Sequence, residues 1–151
     1  LDQLLQGPVD VDPCSNERSV INAKVAYTTG GLILPWMHER PGSCYENFPY
    51  SQGATWTDKM LHELDSGNVE EHVRLCMMAT TTKWWSDMCL VPDRNPRVLG
   101  LKRLKFIDPR PGREDIRVTC RFEPALVYIG TRPGEFTNEF ASITRWATWG
   151  R

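Results

Sequence analysis

Glycine and proline divide this chain into short segments. Eleven of each are spread over 151 residues, and the longest apolar run, residues 31–37, has only the length of a strand. Helices in globular proteins need about 10 or more residues without interruption, whereas strands need about four to eight. The punctuation therefore predicts several short strands joined by turns, with few helices.

The periodicity of apolar residues supports this prediction. Strand-like patterns fall on seven segments, residues 19–28, 32–34, the later part of 70–80, 83–91, 97–107, 116–122 and 125–129. Residues 58–64 form the clearest helix, with Thr57 as cap and Gly67 as stop, and the tail after Pro133 has near-helical spacing. We expect a mainly β, β-rich α+β fold, an antiparallel barrel or sandwich with one or two short helices. Strands do not alternate regularly with long helices, which disfavours a doubly wound sheet.

Domain organisation follows from length and from the absence of repeats. A chain of 151 residues has the size of one domain, and no change in composition separates a second one. Residues 1–16 are predicted to be an N-terminal arm, because Gly7-Pro8 and Asp12-Pro13 interrupt any helix there. The single domain is therefore expected to span residues 1–151.

Five cysteines are scattered along the chain without a Cys-x-x-Cys pair or a histidine at zinc-site spacing. They are Cys14, Cys44, Cys76, Cys89 and Cys120. The pattern predicts no metal site, and favours up to two disulfides and one remaining thiol. Together with a chain that begins at Leu1 without an initiator methionine, the cysteines favour a secreted, disulfide-stapled protein.

Charge is distributed unevenly although the net charge is only −1. Residues 1–93 carry six basic and 13 acidic side chains, whereas residues 94–151 carry 12 basic and six acidic ones. Nine of the basic residues fall between positions 94 and 121, on predicted strands and their turn. Such a run either tracks a phosphate backbone or forms a solvated sheet face. The overall balance favours the solvated face, so nucleic acid is not the expected partner, and no apolar run is long enough for a membrane span.

Catalytic patterns are sparse. The sequence has no nucleophile elbow, phosphate-binding loop or cofactor motif. His38, with Glu39 or Glu46 and with Arg117 and Arg121, is faintly similar to the base, acid and arginine set of small fungal guanyl-specific ribonucleases. The general acid that those enzymes take from a C-terminal strand is missing, because no histidine follows His72. A ribonuclease-like or other hydrolase fold, active or catalytically inactive, is the alternative hypothesis.

In overall design the chain resembles small secreted effectors of fungal plant pathogens, above all the necrotrophic effectors with β-barrel folds. The resemblance rests on scattered cysteines, Gly/Pro-punctuated strands and the lack of an active-site motif. It implies an extracellular protein that binds a host protein without catalysis or cofactor. Loops are the expected contact regions, with candidate binding residues Tyr45, Phe48, Tyr50, Arg110, Arg113, Arg132 and Glu135.

Overall fold

The computed structural model of the chain describes residues 1–5, 7–90, 93–108, 110–113 and 115–148. Its strands are β1 (Val9–Asp12), β2 (Ala23–Ala26), β3 (Gly42–Glu46), β4 (Val69–Met77), β5 (Arg97–Leu101), β6 (Lys105–Ile107), β7 (Arg117–Thr119), β8 (Pro124–Ile129) and β9 (Thr144–Thr148). Its α-helices are α1 (Asp2–Leu5), α2 (Gly53–Asp65), α3 (Lys83–Cys89) and α4 (Pro133–Glu139). Single 3-10 turns cover Tyr50–Gln52 and Ala141–Ile143.

Seven strands form one sheet in the order β2-β1-β3-β4-β8-β5-β9, and β6 pairs with β7 in a separate two-stranded ribbon. Pairing is parallel from β2 to β4 and antiparallel from β4 to β9. The coarse prediction of a β-rich α+β fold is confirmed. Barrel and sandwich are not confirmed, because the strand order of the described residues ends at β2 and β9. The parallel half was not expected from the sequence.

Helices cover both faces of the sheet. On one face α2 and α3 pack over a cluster that includes Trp36, Met60, Met88 and Val127. On the other face α1 and α4 pack over a cluster that includes Leu99, Tyr128 and Phe136. Because both faces are covered, the central strands β5 and β8 are buried along their whole length, as strands between two helical layers must be.

Helix α2 confirms the predicted helix and extends it at both ends. Its buried residues include Trp56, Met60 and Leu64, which recur every four positions and form one stripe toward the sheet. The helix ends where Gly67 takes a φ of +73° and its amide donates to the Leu64 carbonyl over 3.2 Å. This positive φ is the reason that glycine suits the position.

Two predicted strands are turns or helix in the structure. Residues 83–89 form α3, and the Thr82 hydroxyl caps it by accepting from the Trp85 amide; position 91 of that prediction lies outside the described residues. The segment 32–34 closes back on Gly30, whose carbonyl accepts from the amides of Ile33 and Leu34, each over 2.9 Å. These local bonds replace the strand pairing that a hairpin would need.

Strand β1 lies within the predicted N-terminal arm, and β3 lies where no strand was predicted. All four residues of β1 are buried, because β1 is paired on both sides, with β2 and with β3. The prediction of an N-terminal arm over residues 1–16 did not anticipate this strand. Conversely, β7 is exposed throughout, whereas its alternating pattern predicted a half-buried strand.

The five cysteines are all free thiols, three of them buried and Cys14 and Cys89 half-buried. The disulfide part of the fold prediction is therefore not confirmed. Among the described helices, none has both the length and the apolar character that a membrane crossing requires.

Candidate functional site

A crevice lies at the ends of two neighbouring parallel strands. The chain leaves β1 for β2 on one side and returns through β3 on the other side of β1. Strand order therefore reverses between β1 and β3, and their carboxyl ends meet at the same edge of the sheet. In open sheets of this kind, ligands bind outside the carboxyl ends of the strands at the point of reversal. The segments that follow β1 and β3 line this crevice.

The first half of the crevice has a volume of about 310 Å³ and is named the polar half for its three charged residues, Asp12, Arg18 and Lys105, although most of its remaining lining is apolar. Asp12, the last residue of β1, is 2% exposed and accepts from the Cys14 amide over 3.2 Å and from the Ser19 hydroxyl over 3.4 Å. Burial raises the pKa of Asp12 although these hydrogen bonds oppose the shift. Arg18 and Lys105 also line this half. A carboxylate flanked by hydroxyl and basic groups is suited to bind sugar hydroxyls.

The second half is aromatic and has a volume of about 470 Å³. Tyr50 and Phe122 meet edge to face, with ring centres 5.0 Å apart, and Phe106 lies 6.3 Å from Phe122. The Tyr50 hydroxyl donates to the Oδ1 atom of Asn47 over 3.1 Å. Burial raises the pKa of Tyr50, so its hydroxyl stays protonated. Aromatic walls with one oriented amide are suited to bind a planar heterocycle.

The two halves share four lining residues, Cys14, Asn16, Asn47 and Phe106. They are therefore compartments of one crevice, with two amide side chains at the junction. Burial, with the nearby Glu46 and Asp12 carboxylates, raises the pKa of the Cys14 thiol to about 12. At neutral pH the thiol is protonated and is not an activated nucleophile.

A buried ion cluster lies beneath the segment that carries Asn47. Glu46, His72 and Arg74 are each fully buried, and Oε2 of Glu46 lies 2.9 Å from both Nε2 of His72 and Nε of Arg74. Burial lowers the pKa of His72, so the imidazole is neutral and donates its Nε2 hydrogen to the carboxylate. Oε1 of Glu46 and Nδ1 of His72 have no hydrogen-bond partner within the described ranges.

The two-stranded ribbon of β6 and β7 stands beside the crevice and is largely exposed. Lys105, Phe106 and Ile107 of β6 line the polar half. Residues 102–121, which contain the ribbon and its turn, carry seven basic and three acidic side chains. At the turn, Asp108 is bound by Arg110 over 2.6 Å and by Arg113 over 2.7 Å. The crevice therefore opens next to a positively charged surface.

The residues of the ribonuclease-like hypothesis lie in different environments. His38 is an exposed loop residue whose Nε2 lies 3.9 Å from Oε1 of Glu39. Glu46 belongs to the buried ion cluster, and Arg117 is exposed on β7. The structure therefore gives Glu46 partners other than His38, namely His72 and Arg74. Whether the chain cleaves RNA stays a prediction.

The residues predicted to bind a partner fall into three groups. Tyr45 lines the polar half, and Phe48 and Tyr50 line the aromatic half, so the structure brings these three together at the crevice. Arg110 and Arg113 lie at the ribbon turn on Asp108. Two further residues, Arg132 and Glu135, lie elsewhere: Arg132 binds both Glu71 and Glu135 at the start of α4.

Sequence reasoning missed three polar residues of the crevice, Asp12, Asn16 and Asn47. The pattern that could have revealed them is the recurrence of Asp or Asn at or just after the ends of the short segments Val9–Asp12 and Gly42–Glu46, once these were assigned as parallel strands. Within the described part of the chain, no group of three or more His, Cys, Asp or Glu side chains could hold a metal ion.

Comparison with known proteins identified no relative of this chain. No protein-family model matches the chain, and no curated protein and no solved structure is significantly similar to it.

Proposed function

We propose that this chain binds nucleic acid through its basic ribbon and accepts an unstacked nucleobase in the aromatic half of the crevice. The observation that carries the proposal is a crevice with an aromatic and a polar half, at the reversal point of the sheet and beside the ribbon. Enzymes that modify a base take it out of the stack and hold it between aromatic side chains, with hydrogen bonds to its edge. Tyr50, Phe106 and Phe122 supply the rings, and Asn47 supplies the amide.

Electrostatics supports nucleic acid as the ligand. Lys/Arg side chains outnumber Asp/Glu by four over residues 102–121, and Arg103 and Lys105 are exposed. A two-stranded ribbon has dimensions that fit the major groove of DNA, and phosphate contacts from basic side chains supply most of the affinity. The ribbon and the crevice share Lys105 and Phe106, so a strand bound by the ribbon lies close to the aromatic half.

The reaction class that suits two adjoining compartments is transfer of a small group onto the base. A group donor that contains ribose, such as S-adenosylmethionine, would have its hydroxyls at Asp12 in the polar half. When bound, such a donor would supply an electrophilic methyl group to an exocyclic amino nitrogen of the base, with its thioether as the leaving group and water as the acceptor of the amino proton. Asn16 and Asn47 stand at the junction, where an amide oxygen accepts a hydrogen bond from the amino group and fixes its orientation.

Fluorescence of 2-aminopurine in a short oligonucleotide tests base binding, because the signal changes when the base leaves its neighbours and stacks on protein rings. We expect a signal change with the natural chain, and Phe122→Leu should reduce it strongly because it removes one ring of the aromatic half. The matched control is Phe140→Leu, a half-buried phenylalanine that packs on Phe136 and lines neither half of the crevice. Equal signals from both variants would contradict the proposed base site.

Charge reversal tests the ribbon separately. Arg103→Glu together with Lys105→Glu should weaken oligonucleotide binding and flatten its dependence on salt, by about 0.9 in the log–log slope for each phosphate that is no longer neutralised. Arg145→Glu on the edge strand β9 is the control, since Arg145 is also exposed.

Incubation with labelled S-adenosylmethionine then tests the reaction: label on the oligonucleotide supports methyl transfer, and its absence in a chain that binds the base refutes it.

This proposal departs from the expectation of a partner-binding protein without catalysis. The secreted-effector hypothesis, with its host partner and its disulfides, stays a prediction. Alkylation of the unfolded but unreduced protein followed by mass spectrometry tests it, because only cysteines paired in disulfides would then escape the reagent.

A further inference from the structure

Arg74 joins four separate parts of the molecule beneath the crevice. Its guanidinium contacts Oε2 of Glu46, the last residue of β3, at 2.9 Å from Nε and 2.7 Å from Nη2. It also donates to the Thr57 hydroxyl over 2.7 Å and to the Trp56 carbonyl over 3.0 Å, both on α2. A longer contact of 3.6 Å reaches the sulfur of Met88 on α3. One planar cation thus fixes β3, α2 and α3 relative to its own strand β4.

The same guanidinium lies against the segment that forms the aromatic half. Its central carbon stands 4.6 Å from the ring centre of Phe48. Phe48 meets Tyr50 edge to face at 5.6 Å, and Tyr50 meets Phe122 in the same way at 5.0 Å. A chain of direct contacts therefore runs from Arg74 through Phe48 to the rings of the crevice.

Stability alone does not explain this cluster. Replacing a buried ion pair by well-packed apolar residues is often neutral or stabilising, so such a pair is weak evidence for a role in stability. Here two buried polar atoms, Oε1 of Glu46 and Nδ1 of His72, have no hydrogen-bond partner among the residues described, which adds a cost. Arginine supplies what an apolar residue lacks, a rigid fork that fixes directions as well as distances.

We infer that Arg74 is a positioning residue, which holds Phe48 and the Asn47–Tyr50 segment in the geometry that binds the base. The inference rests on the proposed function. It assigns Arg74 no contact with the ligand, since Arg74 is fully buried, and predicts that its loss affects base binding while backbone binding by the ribbon is retained.

Arg74→Lys is the main test, because lysine keeps the positive charge beside Glu46 but loses the planar fork. Two readouts are measured on the same 2-aminopurine oligonucleotide, its total affinity by anisotropy and its fluorescence change. We expect total affinity within about twofold of the natural chain, and base binding weaker by about tenfold, because small misplacement of a site has effects of this size or larger. Arg94→Lys is the control, since Arg94 pairs with the exposed Asp65.

Phe48→Leu is the second variant and serves if Arg74→Lys does not fold. It leaves the ion cluster intact and removes the ring between the guanidinium and Tyr50, so the same loss of base signal is expected. Parallel loss of both readouts would indicate a merely structural role and overturn the inference, as would an unchanged base signal in either folded variant. A natural chain that binds the oligonucleotide without any base signal refutes the proposed function itself, and the inference with it.

Discussion

The buried cluster of Arg74 and the cluster at the ribbon turn both join arginine to a carboxylate, and they differ in where the cation lies. At the buried cluster, Arg74 and Glu46 are both inaccessible to solvent and connect β3, β4 and two helices. At the ribbon turn, the Asp108 side chain is 1% exposed but Arg110 and Arg113 are 64% and 43% exposed. The buried cation is confined by the groups that bind it, whereas the surface cations remain accessible to an external anion.

Burial therefore decides what an ion pair does. Away from water, charge–charge contacts are weakly screened and removal of one partner is costly, so the cluster holds a fixed geometry. At the surface, solvent and salt screen the contact, and its main effect is on local charge. In the functions proposed above the two clusters act differently, because Arg74 positions the segment of the aromatic half whereas Arg110 and Arg113 contribute to the positive charge of the ribbon turn.

The largest expected effect is on stability, from breaking the buried pair on one side only. Arg74→Met leaves the Glu46 carboxylate buried without its cation, and should lower the free energy of unfolding by about 3–5 kcal/mol. Arg74→Met combined with Glu46→Leu should recover part of this loss, since no charge is then left alone, although the Trp56 carbonyl and Nε2 of His72 lose their partners. Urea denaturation measures both. A loss below about 1 kcal/mol in the single variant would contradict the assignment of a buried ion pair.

The next largest effect is the pH dependence of stability that His72 causes. Burial lowers the pKa of His72, so below the ordinary histidine pKa the unfolded chain binds a proton that the folded chain does not. Stability should therefore fall as pH decreases from about 6.5, by at most about 1.4 kcal/mol per pH unit, until the folded-state pKa is passed. His72→Gln should remove this part of the pH dependence. The control is His62→Gln on the exposed face of α2, which should retain it.

A smaller effect, on oligonucleotide affinity, is expected at the ribbon turn. Its sign shows whether the Asp108 carboxylate acts by lowering the local positive charge or by holding the turn in shape. The Arg110 guanidinium holds the pKa of Asp108 well below its usual range, so Asp108 is charged at neutral pH. Asp108→Asn releases Arg110 and Arg113, and should strengthen oligonucleotide binding and steepen its log–log salt slope by about 1. Asp65→Asn removes the same charge elsewhere and is the control. Weaker binding by Asp108→Asn would instead assign this carboxylate a structural role.

The smallest effect is expected at a surface pair that touches neither cluster. Arg94 contacts Asp65 over 2.8 Å, but Asp65 is 73% exposed. Arg94→Ala should change the free energy of unfolding by no more than about 0.5 kcal/mol. Thermal and urea denaturation check this, and a loss comparable to that of Arg74→Met would remove the contrast between buried and surface pairs.

Elements with a clear apolar pattern were predictable from the sequence, whereas strands β1 and β3 were not. Helix α2 was predictable from its four-residue apolar stripe, and β8 from an apolar run of strand length. Strand β1 was missed because its valine–aspartate alternation covers only four residues between Gly7-Pro8 and Pro13. Strand β3 was missed because Gly42–Glu46 begins with Gly and Ser directly after Pro41 and reads as a turn. Their polar side chains are tolerated in the sheet because partners distant in sequence satisfy them, as Asp10 does by accepting from the Ser43 amide.

At the crevice, too, some features follow from local sequence and others only from tertiary structure. Sequence alone determined the aromatic segment at Tyr45, Phe48 and Tyr50, the basic stretch after residue 93 and the β-rich class of the fold, because these follow from composition and local spacing. Tertiary structure decided that β1 and β3 are parallel neighbours, which brings Asp12 beside Asn47 from 35 residues away in the chain. It also decided that Glu46, a candidate catalytic residue by sequence, is buried against Arg74. Pairing between distant segments is fixed by the burial of the whole sheet, which no local pattern contains.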